Sequence, residues 1–254
     1  MTIAGSDAGG GAGIQADLRT FAAFGVYGMA AVTAVTAQNT YEVAGFDVMS
    51  PDLVERQLRC AAADINVDAF KTGMLCNREI VERVHDSIVT LELPNLVIDP
   101  VIASSSGTIL LTEEGVAAMK RLLFPRASLI TPNIAEAELL SDTGPVKNRC
   151  DMEVCGRKLL KTGCGAVLVK GGHLDGRPDD LLVTDSGILW LTGPERPKKR
   201  VRGTGCTLSA AIAALLAKGN SVREAVSDAK TFIDNAIEGS EFPGKGRGIL
   251  PLID

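Results

Sequence analysis

The strongest constraint on this chain is a repeated unit. A short run rich in Ala, Val, Ile and Leu ends in a glycine or polar turn, and a stretch of helical period follows. Thr2–Gly5, Tyr27–Thr36, Val67–Thr72, Leu96–Pro100, Ser128–Thr131 and Ala166–Lys170 read as such strands, with Val43–Met49 as an alternating one. The first helix is predicted over 14–24, with Ile14, Leu18, Phe21 and Ala22 on one face and Gly25 as its stop. Ser50-Pro51 opens a second helix, carried by Leu53, Gln57, Leu58, Ala61, Ala62 and Ile65. Arg78–Leu91, Glu113–Leu123, Ile134–Leu140 and Met152–Thr162 read as helices, and Gly205–Lys218 and Val222–Glu238 close the chain. Leu181–Thr184 and Ile188–Leu191 form a predicted hairpin. Strands alternating with helices imply an α/β fold, a mostly parallel sheet covered on both faces. No linker or shift in composition divides the chain, so residues 1–254 are expected to form a single domain.

Composition removes several function classes. The 26 Lys and Arg against 31 Asp and Glu leave a net charge of −5, so no nucleic-acid partner is expected. No apolar run approaches the ~20 residues of a membrane helix. The N-terminal MTIAGSDAGG has neither the basic nor the apolar region of a signal peptide, so the cytoplasm is expected. Six cysteines without a CxxC pair read as reduced thiols, and His85 and His173 alone give no zinc-site spacing. His85, mid-helix among charges, reads as surface. No GxSxG turn suggests a hydrolase.

In parallel α/β sheets, ligands bind beyond the carboxyl ends of the strands. The segments there are SDAGGGAG (6–13), AQNT (37–40), KTGM (71–74), DPV (99–101), TPNIAE (131–136), KGGH (170–173) and RGTGC (202–206). The first glycine cluster is neither a Walker A loop nor a clean GxGxxG. It reads equally as a ligand cradle or as a flexible strand-to-helix turn. The second cluster opens an apolar helix, whose unpartnered N–H groups and dipole make an anion hole. Cys206 falls in the first turn, where a thiolate is favoured, although a lone Cys there also reads as a small buried hydrophobe. Asp99 and Glu136 are carboxylates suited to Mg²⁺ through water; Glu136 reads equally as an acidic residue of a first helical turn. Lys170 points a cation at the same edge, or is an ordinary strand-terminal lysine. Gln38 and Asn39 suit a planar heterocycle, Met74 and Val101 offer apolar walls, and Asp17 stands near the first glycine turn. The basic run PKKRVR (197–202) reads as a solvated loop, or as a polyanion contact.

Taken in order, TIAGSD-x-GGGAGIQADLRTF, AVTAQNT, KTGML, IDPV, LITPN-x-x-EA, VLVKGGH and GTGCTLSAA carry a resemblance over nearly the whole chain. The chain resembles the hydroxymethylpyrimidine/phosphomethylpyrimidine kinases of thiamine biosynthesis, in the ribokinase-like superfamily. The resemblance implies a three-layer α/β/α sandwich without a large lid domain. It implies ATP and Mg²⁺ as cofactors and two successive phosphorylations of 4-amino-5-hydroxymethyl-2-methylpyrimidine. By motif, Gly5, Asp17, Gln38, Met74 and Val101 match pyrimidine-binding positions. Asp99 and Glu136 match those organising Mg²⁺ and phosphate, and Asn133 and Lys170 lie on the nucleotide side. Gly203, Thr204, Gly205 and Cys206 match the catalytic anion hole, with Cys206 as candidate base. A homodimer is expected. The sequence departs from the family pattern at Arg202, where His is common, at Ser105, and in starting directly at its first strand. A pyridoxal or pyridoxine kinase of the same superfamily is the alternative. A non-catalytic pyrimidine-binding module is disfavoured by the intact Gly203–Cys206 turn, Asp99 and Lys170, and a dinucleotide oxidoreductase by the missing fingerprint.

Overall fold

Leu96, Ile98, Ile130, Val167 and Val169 are buried in one apolar cluster, and the residues between them, Val97, Leu129, Ala166 and Leu168, in another. This two-residue alternation is that of a sheet with both faces covered. The computed structural model describes residues 1–104, 106–172, 179–193 and 201–251. The strands are β1 (Thr2–Asp7), β2 (Ala30–Gln38), β3 (Val43–Val48), β4 (Phe70–Thr72), β5 (Leu96–Ile98), β6 (Ala127–Ile130), β7 (Ala166–Val169), β8 (Asp180–Thr184) and β9 (Gly187–Leu191). The helices are α1 (Gly13–Ala23), α2 (Pro51–Asp64), α3 (Arg78–Thr90), α4 (Glu113–Ala118), α5 (Ile134–Ser141), α6 (Arg149–Leu160), α7 (Thr204–Ala217) and α8 (Val222–Glu238). All these strands lie in one nine-stranded sheet of order β3-β2-β1-β4-β5-β6-β7-β8-β9. The inner pairs from β2 to β7 are parallel; β3, β8 and β9 add antiparallel edges. Among the described residues no separate lid is present.

Helices α2 to α6 cover the first face, and α1, α7 and α8 the second, giving three layers. Helix starts follow local capping chemistry. The side chains of Ser50, Asn77, Thr112, Asn148 and Ser221 each accept a backbone N–H from the first turn of the helix that follows. Helix α7 is apolar around its circumference because it is enclosed: every residue from Thr207 to Leu216 is buried.

Three expectations shift. Helix α1 buries Ala16, Asp17, Thr20 and Phe21, while Ala22 is exposed. Two polar residues occupy its inner face, which a search for apolar periodicity passes over. Strand β2 starts at Ala30, and Tyr27 is exposed. Beyond Ala34, β2 leaves Val35 exposed. The segment read as one helix over 113–123 is α4 followed by a wider π-turn at Met119–Leu123.

Candidate active site

The carboxyl ends of β1, β2, β4, β5, β6 and β7 share one edge of the sheet, as parallel pairing requires. Asp99 follows β5 and Lys170 follows β7, and the Lys170 Nζ lies 2.9 Å from Asp99 Oδ1. Asp99 also accepts from Ser209 Oγ at 3.4 Å on α7 and from Thr131 Oγ1 at 3.5 Å after β6. Burial works to raise the Asp99 pKa, but the ammonium groups of Lys170 and Lys71 and these hydrogen bonds hold it below the usual carboxylate range. Lys170 is held protonated: burial opposes its charge, and Asp99 and Glu136 outweigh that.

Helix α7 starts against this ion pair. A side-chain carbon at Gly205 would lie 3.2 Å from Lys170 Nζ and 3.8 Å from Asp99 Oδ2. The bare backbone of the first turn therefore faces a fixed cation. Gly203 precedes the helix with φ of 72°, and a Cβ there would collide with the Gly11 carbonyl oxygen. The two glycine turns thus touch, and only glycine fits the junction.

The first turn has a different internal chemistry. Asp7 Oδ1 accepts the Gly9 N–H at 2.8 Å, Oδ2 accepts the Ala12 N–H at 2.8 Å, and the Asp7 carbonyl accepts the Gly10 N–H at 2.9 Å. Arg202 Nη2 lies 3.4 Å from Asp7 Oδ2, so the residue that departs from the family pattern braces this turn. Of the two readings of the first cluster, the geometry favours the structural turn.

Glu136 and Asn133 form a reciprocal cap on α5: the Asn133 N–H donates to Glu136 Oε2 at 2.8 Å, and the Glu136 N–H to Asn133 Oδ1 at 3.0 Å. Glu136 is nonetheless buried beside the ion pair. Burial pushes its pKa up to about 7, Asp99 adds to the rise, and Lys170 opposes it. Asn133 pairs with Lys170 across an isolated parallel bridge.

Of the two readings of Cys206, its surroundings favour the thiol: burial pushes it up to about 11, against the pull of Lys71. Of the pyrimidine positions, Gly5 and Met74 are neighbours: a Cβ at Gly5 would lie 3.1 Å from Met74 Sδ. Gln38, at the end of β2, has its carbonyl beside Gly9. Val101 packs at the edge of the first core. Asp17 stands elsewhere than beside open space: it is fully enclosed, accepting Thr2 Oγ1 at 2.6 Å and Lys71 Nζ at 2.8 Å. Lys71 is the residue that the sequence reading passed over. Its signal was a lysine one residue before the end of a central strand, in KTGM at the carboxyl edge. Ser105, His173 and residues 197–200 of the basic run lie outside the described residues; His85 is on α3, beside Asp86.

The family model described as phosphomethylpyrimidine kinase matches residues 7–251. The chain belongs to the phosphomethylpyrimidine kinase family. It is 43% identical over 253 residues to the hydroxymethylpyrimidine/phosphomethylpyrimidine kinase of Escherichia coli, covering 99% of this chain and 95% of that one. It is similar to the crystal structure of phosphomethylpyrimidine kinase from Clostridium difficile, with TM-score 0.82 and 41% identity over 93% of this chain and 97% of that one. The pyridoxal kinase of Staphylococcus aureus in complex with ADP superimposes with TM-score 0.90 at 34% identity, covering 99% of this chain and 92% of that one. The layered α/β architecture described above is the one shared with these structures, as the resemblance implied.

Proposed function

We propose that the chain transfers the γ-phosphoryl group of ATP to the hydroxymethyl group of 4-amino-5-hydroxymethyl-2-methylpyrimidine. It then phosphorylates the monophosphate to the diphosphate, for thiamine diphosphate biosynthesis. The observation that carries the reading is the first turn of α7 facing the Lys170–Asp99 pair. Phosphoryl transfer asks a protein mainly for positioning and for stabilisation of charge on the transferred group. Helix N–H groups, the dipole and Lys170 supply both. Gly203, Thr204, Gly205 and Cys206 form the anion hole in this reading. Asn133 and Lys170 lie on the nucleotide side, and Gly5, Gln38, Met74 and Val101 beside the pyrimidine.

Among the described residues no group of three acidic, Cys or His side chains forms a metal cage. Asp99 and Glu136 fit a Mg²⁺ that keeps waters and is held mainly by phosphate oxygens, because their mutual repulsion is part of what raises Glu136. Such an ion would neutralise charge on the phosphates. A base has little to do in a loose transition state, so the Cys206 thiol has a supporting part.

Among the described residues no helix is long and apolar enough to cross a membrane. The reading includes a cytoplasmic homodimer, which sedimentation equilibrium checks. The likeness to a pyridoxal kinase keeps a second reading, phosphorylation of pyridoxal or pyridoxine. The deciding assay offers each heterocycle separately with ATP and Mg²⁺ and resolves the products by mass. Pyrimidine mono- and diphosphate support the reading. Pyridoxine phosphate as the main product replaces it with the second. Monophosphate alone restricts it to the first step.

A further inference from the structure

Lys71 and Asp17 are both fully enclosed, and their side chains lie 2.8 Å apart. The register of the sheet explains how they meet. Thr2 on β1 pairs directly with Lys71 on β4, so both side chains rise from the same face towards α1. Phe70, beside Lys71, points into the opposite core. Both oxygens of Asp17 are used, one by Thr2 and the other by Lys71. Nothing of this carboxylate is left for a ligand.

Such a pair does little for stability. Desolvating both charges offsets much of their attraction, and an apolar pair of similar volume would hold the layers as well. What the pair adds is a fixed separation of charge, with the ammonium end held at one place. Helix α7 packs on β4, β5 and α1, and a Cβ at Gly73 would lie 3.5 Å from Lys71 Nζ, so the ammonium reaches along β4 towards the carboxyl edge at which that helix starts. The charges facing Cys206 are Lys71 from β4, Asp99 after β5, Asp17 from α1 and Lys170 after β7. Lys71 and Lys170 favour negative charge at the first turn of α7; the two carboxylates oppose it.

We propose that Lys71 is a positioning residue of the phosphoryl-transfer site, held in its charged form by Asp17, and that Asp17 acts through Lys71 without touching the pyrimidine. The inference rests on the kinase reading above. Lys71 supports from behind the negative charge that Lys170 meets from in front. Asp17 and Thr2 keep the ammonium in place.

The test uses the full chain. The double substitution Lys71→Met with Asp17→Leu removes both charges and leaves neither buried alone. Asp17→Asn, a second variant, keeps the acceptor for Thr2. Turnover with ATP and the hydroxymethylpyrimidine, pyrimidine affinity by equilibrium dialysis, and peptide-resolved alkylation of Cys206 by iodoacetamide are measured. In the double variant, kcat is expected to fall, pyrimidine affinity to stay, and Cys206 alkylation to slow by less than about tenfold, the effect of one pKa unit, because Asp17, which opposes the thiolate, leaves together with Lys71. Asp17→Asn is expected to lower kcat with KM for the pyrimidine unchanged. A folded double variant with wild-type kcat and alkylation rate overturns the proposal. So does a loss of pyrimidine affinity with kcat retained in Asp17→Asn, which would put Asp17 against the substrate. Should the wild type phosphorylate no pyrimidine, the kinase reading fails, while the alkylation comparison still judges the role of Lys71.

Discussion

The two glycine turns of this protein look alike in sequence and differ in what their backbones do. Between β1 and α1, the N–H groups of Gly9, Gly10 and Ala12 all donate to Asp7. The turn carries its own anion, and Arg202 neutralises it from the side. Before α7, Gly203 leaves the helix start without a side-chain cap, and Gly205 brings the backbone up to Lys170. Glycine content therefore does not make an anion site. Amide groups not claimed from inside, beside a fixed cation, do.

Substitution at the second turn should have the largest effect. Lys170→Met is expected to lower kcat by about 10²–10³-fold, the usual cost of one stabilising donor to a developing anion, and steady-state kinetics measure it. Loss confined to KM would break the comparison, because Lys170 would then bind the ground state only.

Next comes a pH effect confined to the same region. Burial pushes the Glu136 carboxyl up to about 7 in the folded chain, above its ordinary 4.5. The folded state therefore binds the proton more tightly than the unfolded state, and stability falls as pH rises. The contribution is whole below the unfolded value and is lost through about pH 7, by up to roughly 3 kcal/mol. Urea unfolding of the ligand-free chain across this window should show the fall, and Glu136→Gln should abolish it. A flat profile in the wild type would remove the buried acid from the account.

Cys206→Ala should cost less, about ten- to hundredfold in kcat with pyrimidine affinity retained, at or below the low end for general acid–base groups. An unchanged kcat would assign the thiol to packing. The smallest effect on chemistry is expected at the first turn. Asp7→Ala removes the acceptor for two amides and should destabilise the chain by about 1–3 kcal/mol, with little change in KM for ATP. Thermal unfolding and the same kinetics read both. A large rise in that KM would make the first turn a phosphate site after all.

Much of this arrangement is visible in the residues themselves. Alternation of apolar runs with helical periods gave the layers, because burial on both faces of a parallel sheet leaves strands no other composition. Polar residues turned inward were harder to see. Asp17 and Thr20 on α1 and Lys71 on β4 are fully buried, and a search for apolar periodicity assigns such residues to the surface. Asp99, Lys170 and the α7 start were legible because each ends a strand or opens a helix at the carboxyl edge. For Cys206 the residues alone left two readings open: the helix start argues for a thiolate, a lone Cys before an apolar helix for a small hydrophobe, and only the packing shows burial pushing the thiol up.

The contrast between the turns is tested most directly by amide NMR during titration with Mg²⁺ and a non-hydrolysable ATP analogue. The account predicts the largest shifts at Gly203, Thr204, Gly205 and Cys206, with Gly9, Gly10 and Ala12 nearly unmoved. The largest shifts at Gly9, Gly10 and Ala12, with the start of α7 silent, would contradict it.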